Sequence, residues 1–260
     1  RAGRKQVIVG RDVRPSSGPF AEAAIKGLMA SGCEVIDIGQ VPTPLTSFAV
    51  NHFWVDGAVQ VTASHNPAEV NGLKLQVGME ALAGPELQKV ERLIASGNFA
   101  SGEGSRLARD VVYPYLNCIL HKVHLSRRLK VAVDAGNGTS GPLAVRLLRE
   151  LGCEVFPLYC EPDGTFPHGV PNPLKPEARQ RTIDAVRNSD AVVGVAWDGD
   201  FDRCFFFDEE AQFIEGYYLV GMIAKRMLEK EPGSTILYDP RLTWNTIDIV
   251  ESLGGRALPC

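Results

Sequence analysis

Two short apolar runs in this chain each end in a loop of reactive side chains. The run from Asp56 to Ser64 leads into His65-Asn66-Pro67, and the run from Asp190 to Asp198 leads into Gly199-Asp200-Phe201-Asp202-Arg203. The first loop offers a hydroxyl nucleophile beside a histidine and an asparagine, a grouping that suits covalent catalysis with local proton relay. The second offers carboxylates at Asp198, Asp200 and Asp202, then an arginine. In an extended segment, residues at i, i+2 and i+4 project to one side. Three carboxylates that close repel one another unless a cation sits among them, and hard oxygen ligands in that number suit Mg²⁺ or Ca²⁺. A phosphoryl carrier beside a divalent-metal site would be assembled in this way.

Other readings of the same residues stay open at this level. An EF-hand would place Glu209 at its twelfth position, but its sixth is Arg203 where glycine is required, and strands rather than helices flank the loop. A metal-dependent phosphatase with Asp198 as covalent nucleophile is a second alternative. A non-catalytic sugar-phosphate-binding module is a third. A plain solvated acidic turn is disfavoured by the apolar strand in front and the arginine behind. Ser64-His65-Asn66 alone could be an ordinary turn closed by Pro67; its position equivalent to Asp198 singles it out. Lys74, in Asn71-Gly72-Leu73-Lys74, is a candidate for phosphate neutralisation or proton transfer, or a strand-edge lysine. Arg11-Asp12-Val13-Arg14 is read as structural, positioning a loop. The run from Asp134 to Gly141 is similar to a phosphate-cradling glycine loop at a helix N-terminus, and a tight turn explains it as well. His168, in the proline-braced run from Asp163 to Pro173, is read as a loop histidine and not a metal ligand.

The elements behind these loops repeat. Strand, loop, helix, glycine and strand recur from Val7, from Val131 and from Thr235, and self-similarity of this kind governs the fold. The helices are expected over about Pro19–Met29, Gly141–Leu151 and Trp244–Leu253, with Gly32, Gly152 and Gly254 taking left-handed geometry at their ends. The first two units carry another helix, over about Leu45–Phe53 and Glu177–Arg187, before the chemically loaded strand. Helices are also expected over Tyr113–His121 and Tyr217–Glu229, and a hairpin over Phe205–Phe213. Continuous apolar strands imply sheets covered on both faces, and helical crossovers imply largely parallel pairing. The fold class is therefore α/β: similar domains in series, with largely parallel mixed sheets and helices on both faces. The expected domains are 1–105 with the serine loop, 106–213 with the carboxylate loop, and 214–260 as the first part of a third; Ala100–Ser105 reads as a linker.

Bulk properties exclude several classes. The net charge of −4 gives no electrostatic footprint for nucleic acid. No apolar stretch approaches the roughly 20 residues that span a bilayer, and no signal-like segment opens the chain. The six cysteines show no CxxC spacing and read as buried, reduced thiols of a cytoplasmic protein, Cys33, Cys153 and Cys204 lying in apolar runs. Both ends read as cut from something longer, because the chain starts without Met just before a strand and stops at Cys260 just after one.

The chain resembles the α-D-phosphohexomutases, a family that includes phosphomannomutase/phosphoglucomutase, over all 260 residues. Thr62-Ala-Ser-His-Asn-Pro67 is similar to the family's phosphoserine loop and Asp198-Gly-Asp-Phe-Asp-Arg203 to its metal loop. The segments Asn71–Lys74, Asp134–Gly138 and Asp163–Pro167 match in order. The family commonly has glycine where this chain has Phe201. The stretches Phe201–Cys204, Gln212–Tyr218 and Asp239–Asn245 resemble the bacterial phosphomannomutase branch of GDP-mannose and surface-polysaccharide synthesis. The resemblance implies interconversion of mannose 6-phosphate and mannose 1-phosphate. It implies a phosphoserine at Ser64, a hexose 1,6-bisphosphate intermediate, and Mg²⁺ held by Asp198, Asp200 and Asp202 with the phosphorylated serine. It further implies that Arg203 orients the phosphoserine or sugar, that Lys74 and His65 move protons or contact phosphate, and that Asn66 supports the loop and binds substrate. The implied partner is a hexose phosphate, with no nucleic acid and no membrane expected. A family member has four domains around a central cleft, the first three alike, so an upstream segment and the sugar-selecting and phosphate-binding loops would lie outside this chain.

Overall fold

The computed structural model describes residues 5–241, 243 and 245–260. Residues 1–4, Leu242 and Trp244 fall outside it, so the expected helix start at Trp244 and parts of the 239–245 motif lie outside the described residues.

The first layer runs β1 (Gln6–Arg11), α1 (Ser17–Ala30), β2 (Glu34–Gln40), α2 (Thr43–Phe53), β3 (Gly57–Val61), β4 (Leu73–Val77), β5 (Glu80–Ala81), α3 (Pro85–Ser96) and β6 (Ser105–Ala108). The second runs α4 (Val112–Leu120), β7 (Lys130–Asp134), α5 (Gly141–Glu150), β8 (Glu154–Leu158), α6 (Gln180–Arg187), β9 (Val193–Trp197), β10 (Cys204–Phe207) and β11 (Phe213–Ile214), with one 3₁₀ turn at Pro176–Ala178 before α6. Then come α7 (Gly216–Lys230), β12 (Thr235–Tyr238), α8 (Thr246–Ser252) and β13 (Arg256–Pro259).

The sheets are mixed and mainly parallel, as expected. The first has the order β5-β4-β3-β1-β2-β6, the second β11-β10-β9-β7-β8, and β12 pairs with β13 in parallel. The repeat is visible in that order. In both larger sheets an antiparallel strand flanks the third parallel strand, which lies beside the first, with the second beyond (β4-β3-β1-β2 and β10-β9-β7-β8). Ser64 follows β3 and Asp198 follows β9 at the C-terminal ends of equivalent strands, where open α/β sheets bind ligands.

Consecutive apolar residues work here because both faces are covered. Ile8 packs with the α2 and α4 side of the first sheet while its neighbour Val9 packs with α1. Val131 and Val133 serve one face of the second sheet and Ala132 the other. Val111 and Leu116 share a buried cluster with Leu45 and Ala49 of α2 and Leu143 of α5, so the two layers meet through an apolar seam. Gly32, Gly152 and Gly254 adopt φ of 85°, 87° and 72° at the ends of α1, α5 and α8.

Several details differ from the sequence reading. The Ala100–Ser105 run is held against the first layer and is no free linker: Gly102 bridges Ser31, and β6 pairs with β2 in the register Glu34↔Ser105 to Asp37↔Ala108. The 105/106 division therefore falls inside a strand, whose pairing carries the first sheet to Ala108. The β4–β5 hairpin and α3 had no counterpart in the reading; α3 buries none of its residues, so its pattern was not that of a core helix. All six cysteines are free. Cys153 is buried, but Cys204 and Cys260 are exposed. In β10 the period of two turns Phe205 and Phe207 inward and leaves Cys204 on the opposite face. Among the described residues, no helix is long and apolar enough to cross a membrane.

The seam is also a close backbone contact. A Cβ on Gly164 would lie 2.2 Å from the Val13 carbonyl oxygen and 2.6 Å from the Arg14 Cα, so only glycine lets the 163–167 loop reach the first layer. Gly164→Ala should cost about 1–3 kcal/mol through overpacking, read as a lower urea midpoint for unfolding.

Candidate active site

The carboxylate loop is a turn, not the extended alternation expected for it. After β9 the chain doubles back, with the Phe201 N–H donating to the Asp198 carbonyl at 3.2 Å, and Phe201 takes a positive φ of 70°. The convergence of the carboxylates comes from this turn: ligand oxygens of Asp198, Asp200 and Asp202 all lie within 4.8 Å of one another. Phe201 stands in backbone geometry that favours glycine. Its ring is anchored 5.0 Å from Trp197 and packs against the clusters of both layers.

Asp198 and Asp200 are fully buried, and Asp202 is partly exposed. Burial, with the neighbouring Asp200 and Asp202, pushes the Asp198 carboxyl up to about 6, although Arg203 and Ser64 pull the other way. Burial also opposes ionisation of Asp200, but the Lys74 ammonium and the Thr43 hydroxyl hold it below the ordinary carboxylate range. The Lys74 Nζ lies 2.6 Å from Oδ2 of both Asp200 and Asp202. Its burial favours the neutral amine, yet the two carboxylates raise its pKa.

Ser64 is the junction between the loops. Its hydroxyl donates to Asp198 Oδ2 at 2.7 Å and accepts from Arg203 Nη2 at 2.7 Å. Arg203 also binds Asp198 through Nε at 3.0 Å. His65 Nδ1 lies 3.3 Å from Ser64 Oγ and contacts Arg203 Nη2 closely. A guanidinium only donates, so Nδ1 is an acceptor and the imidazole proton sits on Nε2. Burial and the Arg203 charge both lower the His65 pKa, which keeps the ring neutral.

The backbone under Ser64 is held with equal care. Ser64 has φ 53°, a conformation worth about 1–3 kcal/mol of strain for a residue with a side chain. Arg14, fully buried, holds it there: its Nη atoms donate to the carbonyls of Ser64 at 2.9 Å, Asn66 at 2.7 Å and Val70 at 3.1 Å, and closely to Pro67. Asp12 accepts from Arg14 Nε at 3.1 Å and from Thr62 Oγ1 at 2.8 Å. The Thr62 hydroxyl in turn accepts from the Ser64 N–H at 2.9 Å. The Phe166 ring, from the second layer, lies 5.2 Å from the Arg14 guanidinium carbon. The structural reading of Asp12 and Arg14 thus holds.

Seven of the eight residues singled out from sequence converge: Ser64, His65, Lys74, Asp198, Asp200, Asp202 and Arg203. Asn66 does not join them; its amide turns back to the Ala63 carbonyl at 3.0 Å. His168 is a loop histidine, stacked on Tyr159 with its Nδ1 2.8 Å from Asn137 Oδ1. The Asp134–Gly141 turn also braces the carboxylate loop, since the Thr139 N–H and hydroxyl both donate to the Gly199 carbonyl. A Cβ on Gly199 would lie 2.6 Å from the Ser64 carbonyl oxygen, so glycine is what lets the two loops touch. Sequence reasoning missed Thr43, whose hydroxyl donates to Asp200 Oδ2 at 2.6 Å and whose N–H donates to the Asp200 carbonyl at 3.0 Å. Its signal was a hydroxyl residue between Pro42 and Pro44 where a strand gives way to a helix.

The donor set fits a hard divalent cation. All candidate ligand atoms are carboxylate oxygens, and the buried Asp200 Oδ1 has no donor in the protein. Burial and the charges of Asp200 and Asp202 lift Asp198, and a dication would relieve the repulsion among the three.

Comparison with known proteins agrees with this geometry. Residues 1–101 match the family model of phosphoglucomutase/phosphomannomutase alpha/beta/alpha domain I, and residues 113–212 match that of domain II. The chain belongs to the phosphoglucomutase/phosphomannomutase family. It is 45% identical over 260 residues to phosphohexose mutases of Xanthomonas campestris pv. campestris, and 43% identical over 265 residues to a phosphomannomutase of Escherichia coli. These alignments cover 98% and 96% of this chain, and it spans 58% of the length of either relative. A crystal structure of a family protein from Burkholderia thailandensis superposes with a TM-score of 0.95 at 37% identity, over 99% of this chain and 58% of that one.

Removing Arg14 would strand the buried Asp12 carboxylate and four loop carbonyls. Arg14→Met should therefore destabilise the protein by about 3–5 kcal/mol, measured by chemical denaturation, whereas Lys5→Met, at an exposed ion pair, should change it little.

Proposed function

We propose that the protein carrying this chain interconverts hexose 6-phosphates and hexose 1-phosphates, mannose phosphates in particular, with Ser64 as the phosphoryl carrier and a hexose 1,6-bisphosphate as intermediate. The observation that carries this reading is the Ser64 hydroxyl, set 2.7 Å from both Asp198 and Arg203 at the meeting of the two loops. The relatives named as phosphomannomutases support the choice of mannose.

In this reading the phosphoryl group on Ser64 Oγ passes to a sugar hydroxyl: the Oγ–P bond breaks and a new P–O bond forms to the sugar. The bisphosphorylated sugar then turns, and Ser64 takes the other phosphoryl group. Arg203 already donates to Oγ and would continue to donate to phosphoryl oxygens, fixing the line of transfer. Neutral His65 carries no proton on Nδ1, and it would receive the proton that the sugar hydroxyl releases only once Arg203 turns from Nδ1 to the phosphoryl oxygens. Lys74, held as an ammonium by two carboxylates, suits contact with phosphate. Asp198, Asp200 and Asp202 would hold Mg²⁺, which when bound supplies charge neutralisation for the transferring group. The positive charge of Arg203 and Lys74, already placed among the carboxylates, works in the same direction. The six free thiols fit a cytoplasmic setting.

A phosphatase using Asp198 as nucleophile finds less support. Asp198 Oδ2 is engaged by Ser64 and Arg203, and Oδ1 accepts the Arg203 N–H at 3.1 Å.

Phosphosite mapping after incubation with Mg²⁺ and glucose 1,6-bisphosphate should find phosphate on Ser64, discharged on adding a hexose monophosphate. Ser64→Ala should take up none while keeping its fold. Phosphate on Asp198, or on neither residue, would replace the mutase reading with the phosphatase or with a binding module.

A further inference from the structure

Thr43 touches the carboxylate loop twice, and the two contacts have different effects. Its N–H donates to the Asp200 carbonyl at 3.0 Å, which holds the backbone of the turn. Its hydroxyl donates to Asp200 Oδ2 at 2.6 Å, which holds the side chain. Lys74 Nζ lies 2.6 Å from the same oxygen. Both donors therefore sit on Oδ2, while the buried Oδ1 has no donor among the described residues. A carboxylate fixed through one oxygen has a set orientation and keeps the other for a cation, as groups behind metal ligands commonly arrange.

The two donors are not equivalent. The Lys74 side chain is 39% exposed and divided between Asp200 and Asp202. A dication among the carboxylates would repel its ammonium, and the phosphate contact proposed above would draw it away. The Thr43 hydroxyl is neutral and is not repelled. Branching at Cβ limits its rotamers, and the chain on either side is stiffened by Pro42 and Pro44, whose rings fix φ. Thr43 is thus the partner that Asp200 keeps when Lys74 leaves.

The stretch that carries Thr43 is anchored in the strand that leads to Ser64. In β3 the side chains alternate, so Gln60 shares the face of Ala58, which packs in the apolar cluster with Leu45 and Ala49 of α2. Gln60 is only 2% exposed, and a polar group buried there needs partners. Its amide donates to the Val41 carbonyl at 3.0 Å and its oxygen accepts from the Thr46 hydroxyl at 2.5 Å. A Cβ on Gly10 would lie 2.4 Å from Gln60 Oε1 and 2.7 Å from Thr46 Oγ1, so glycine leaves room for this pair. Gln60 therefore grips the chain on both sides of Thr43 and ties it to the strand of the serine loop.

We propose that Thr43 is a positioning residue whose hydroxyl fixes the Asp200 carboxylate from the first layer and so sets the affinity of the three carboxylates for a divalent cation. This rests on the Mg²⁺ part of the proposed function. The protein carrying this chain is titrated with Mn²⁺, read by loss of the free ion's electron paramagnetic resonance signal, with Mg²⁺ as competitor. Thr43→Val removes the hydroxyl while keeping the shape and the backbone N–H, and it should raise the Kd about tenfold. Thr43→Ser, which keeps the hydroxyl, should stay close to the parent value. Ser47→Ala, on the same helix with its hydroxyl 3.0 Å from Gln76 Oε1, should leave the Kd unchanged. The metal-free thermal midpoint is recorded for each variant, because a merely structural Thr43 would lower the midpoint without moving the Kd. If Thr43→Val does not fold, Thr43→Ala takes its place. Equal Kd values for the parent and the variant without the hydroxyl, or a Thr43→Ser variant as weak as Thr43→Val, would overturn the role of Thr43 and leave the cation site standing. A parent that binds no Mn²⁺ would overturn the Mg²⁺ reading and this proposal with it.

Discussion

The mutual repulsion of Asp198, Asp200 and Asp202 is the constraint around which this molecule is arranged. Two like charges about 5 Å apart repel by about 3 kcal/mol at an effective dielectric constant of 20, and here three are brought within 4.8 Å, two of them without solvent. The chain offsets this with Arg203 from the same loop and Lys74 from the first sheet. Because one of the balancing charges comes from the other layer, the electrostatics of the site and the docking of the two sheets are a single problem. Lys74 lies on β4, the antiparallel strand beside β3, so its ammonium arrives on the same edge as the serine loop.

The two layers solve that problem with one plan used twice. Each ends its third parallel strand in a functional loop, and each supports that loop from a neighbouring turn. In the first layer the support is Asp12 and Arg14 at the end of β1. In the second it is Thr139 at the end of β7, holding the Gly199 carbonyl. The supports also cross over: Phe166 of the second layer lies against Arg14, and Thr43 of the first binds Asp200. Neither loop is complete without residues of the other layer.

Much of this was legible in the sequence, because the signals were local. The strand runs, the glycines ending α1, α5 and α8, and the reactive loops are each written within a dozen residues. The seven converging site residues could be named because a strand end carries its loop to a known place. What escaped was set by tertiary contact. Thr43 matters only because Asp200, 157 residues away, turns beneath it. The Gly102 bridge and β6 looked like a linker because their composition is that of a loop, while the pairing edge they use belongs to β2. Asn66 shares a motif with Ser64, yet its amide is spent on its own turn. The alternation of the carboxylates suggested an extended segment, whereas a turn through a positive φ brings them together.

Phe201 has a mechanical consequence. Its backbone occupies a conformation natural to glycine, and its ring touches apolar clusters on both sides of the seam. A glycine in that place would leave the turn free to flex on its own. With its ring packed between the layers, the turn is tied to both of them, so the backbone between Asp200 and Asp202 shares its anchorage with the seam itself.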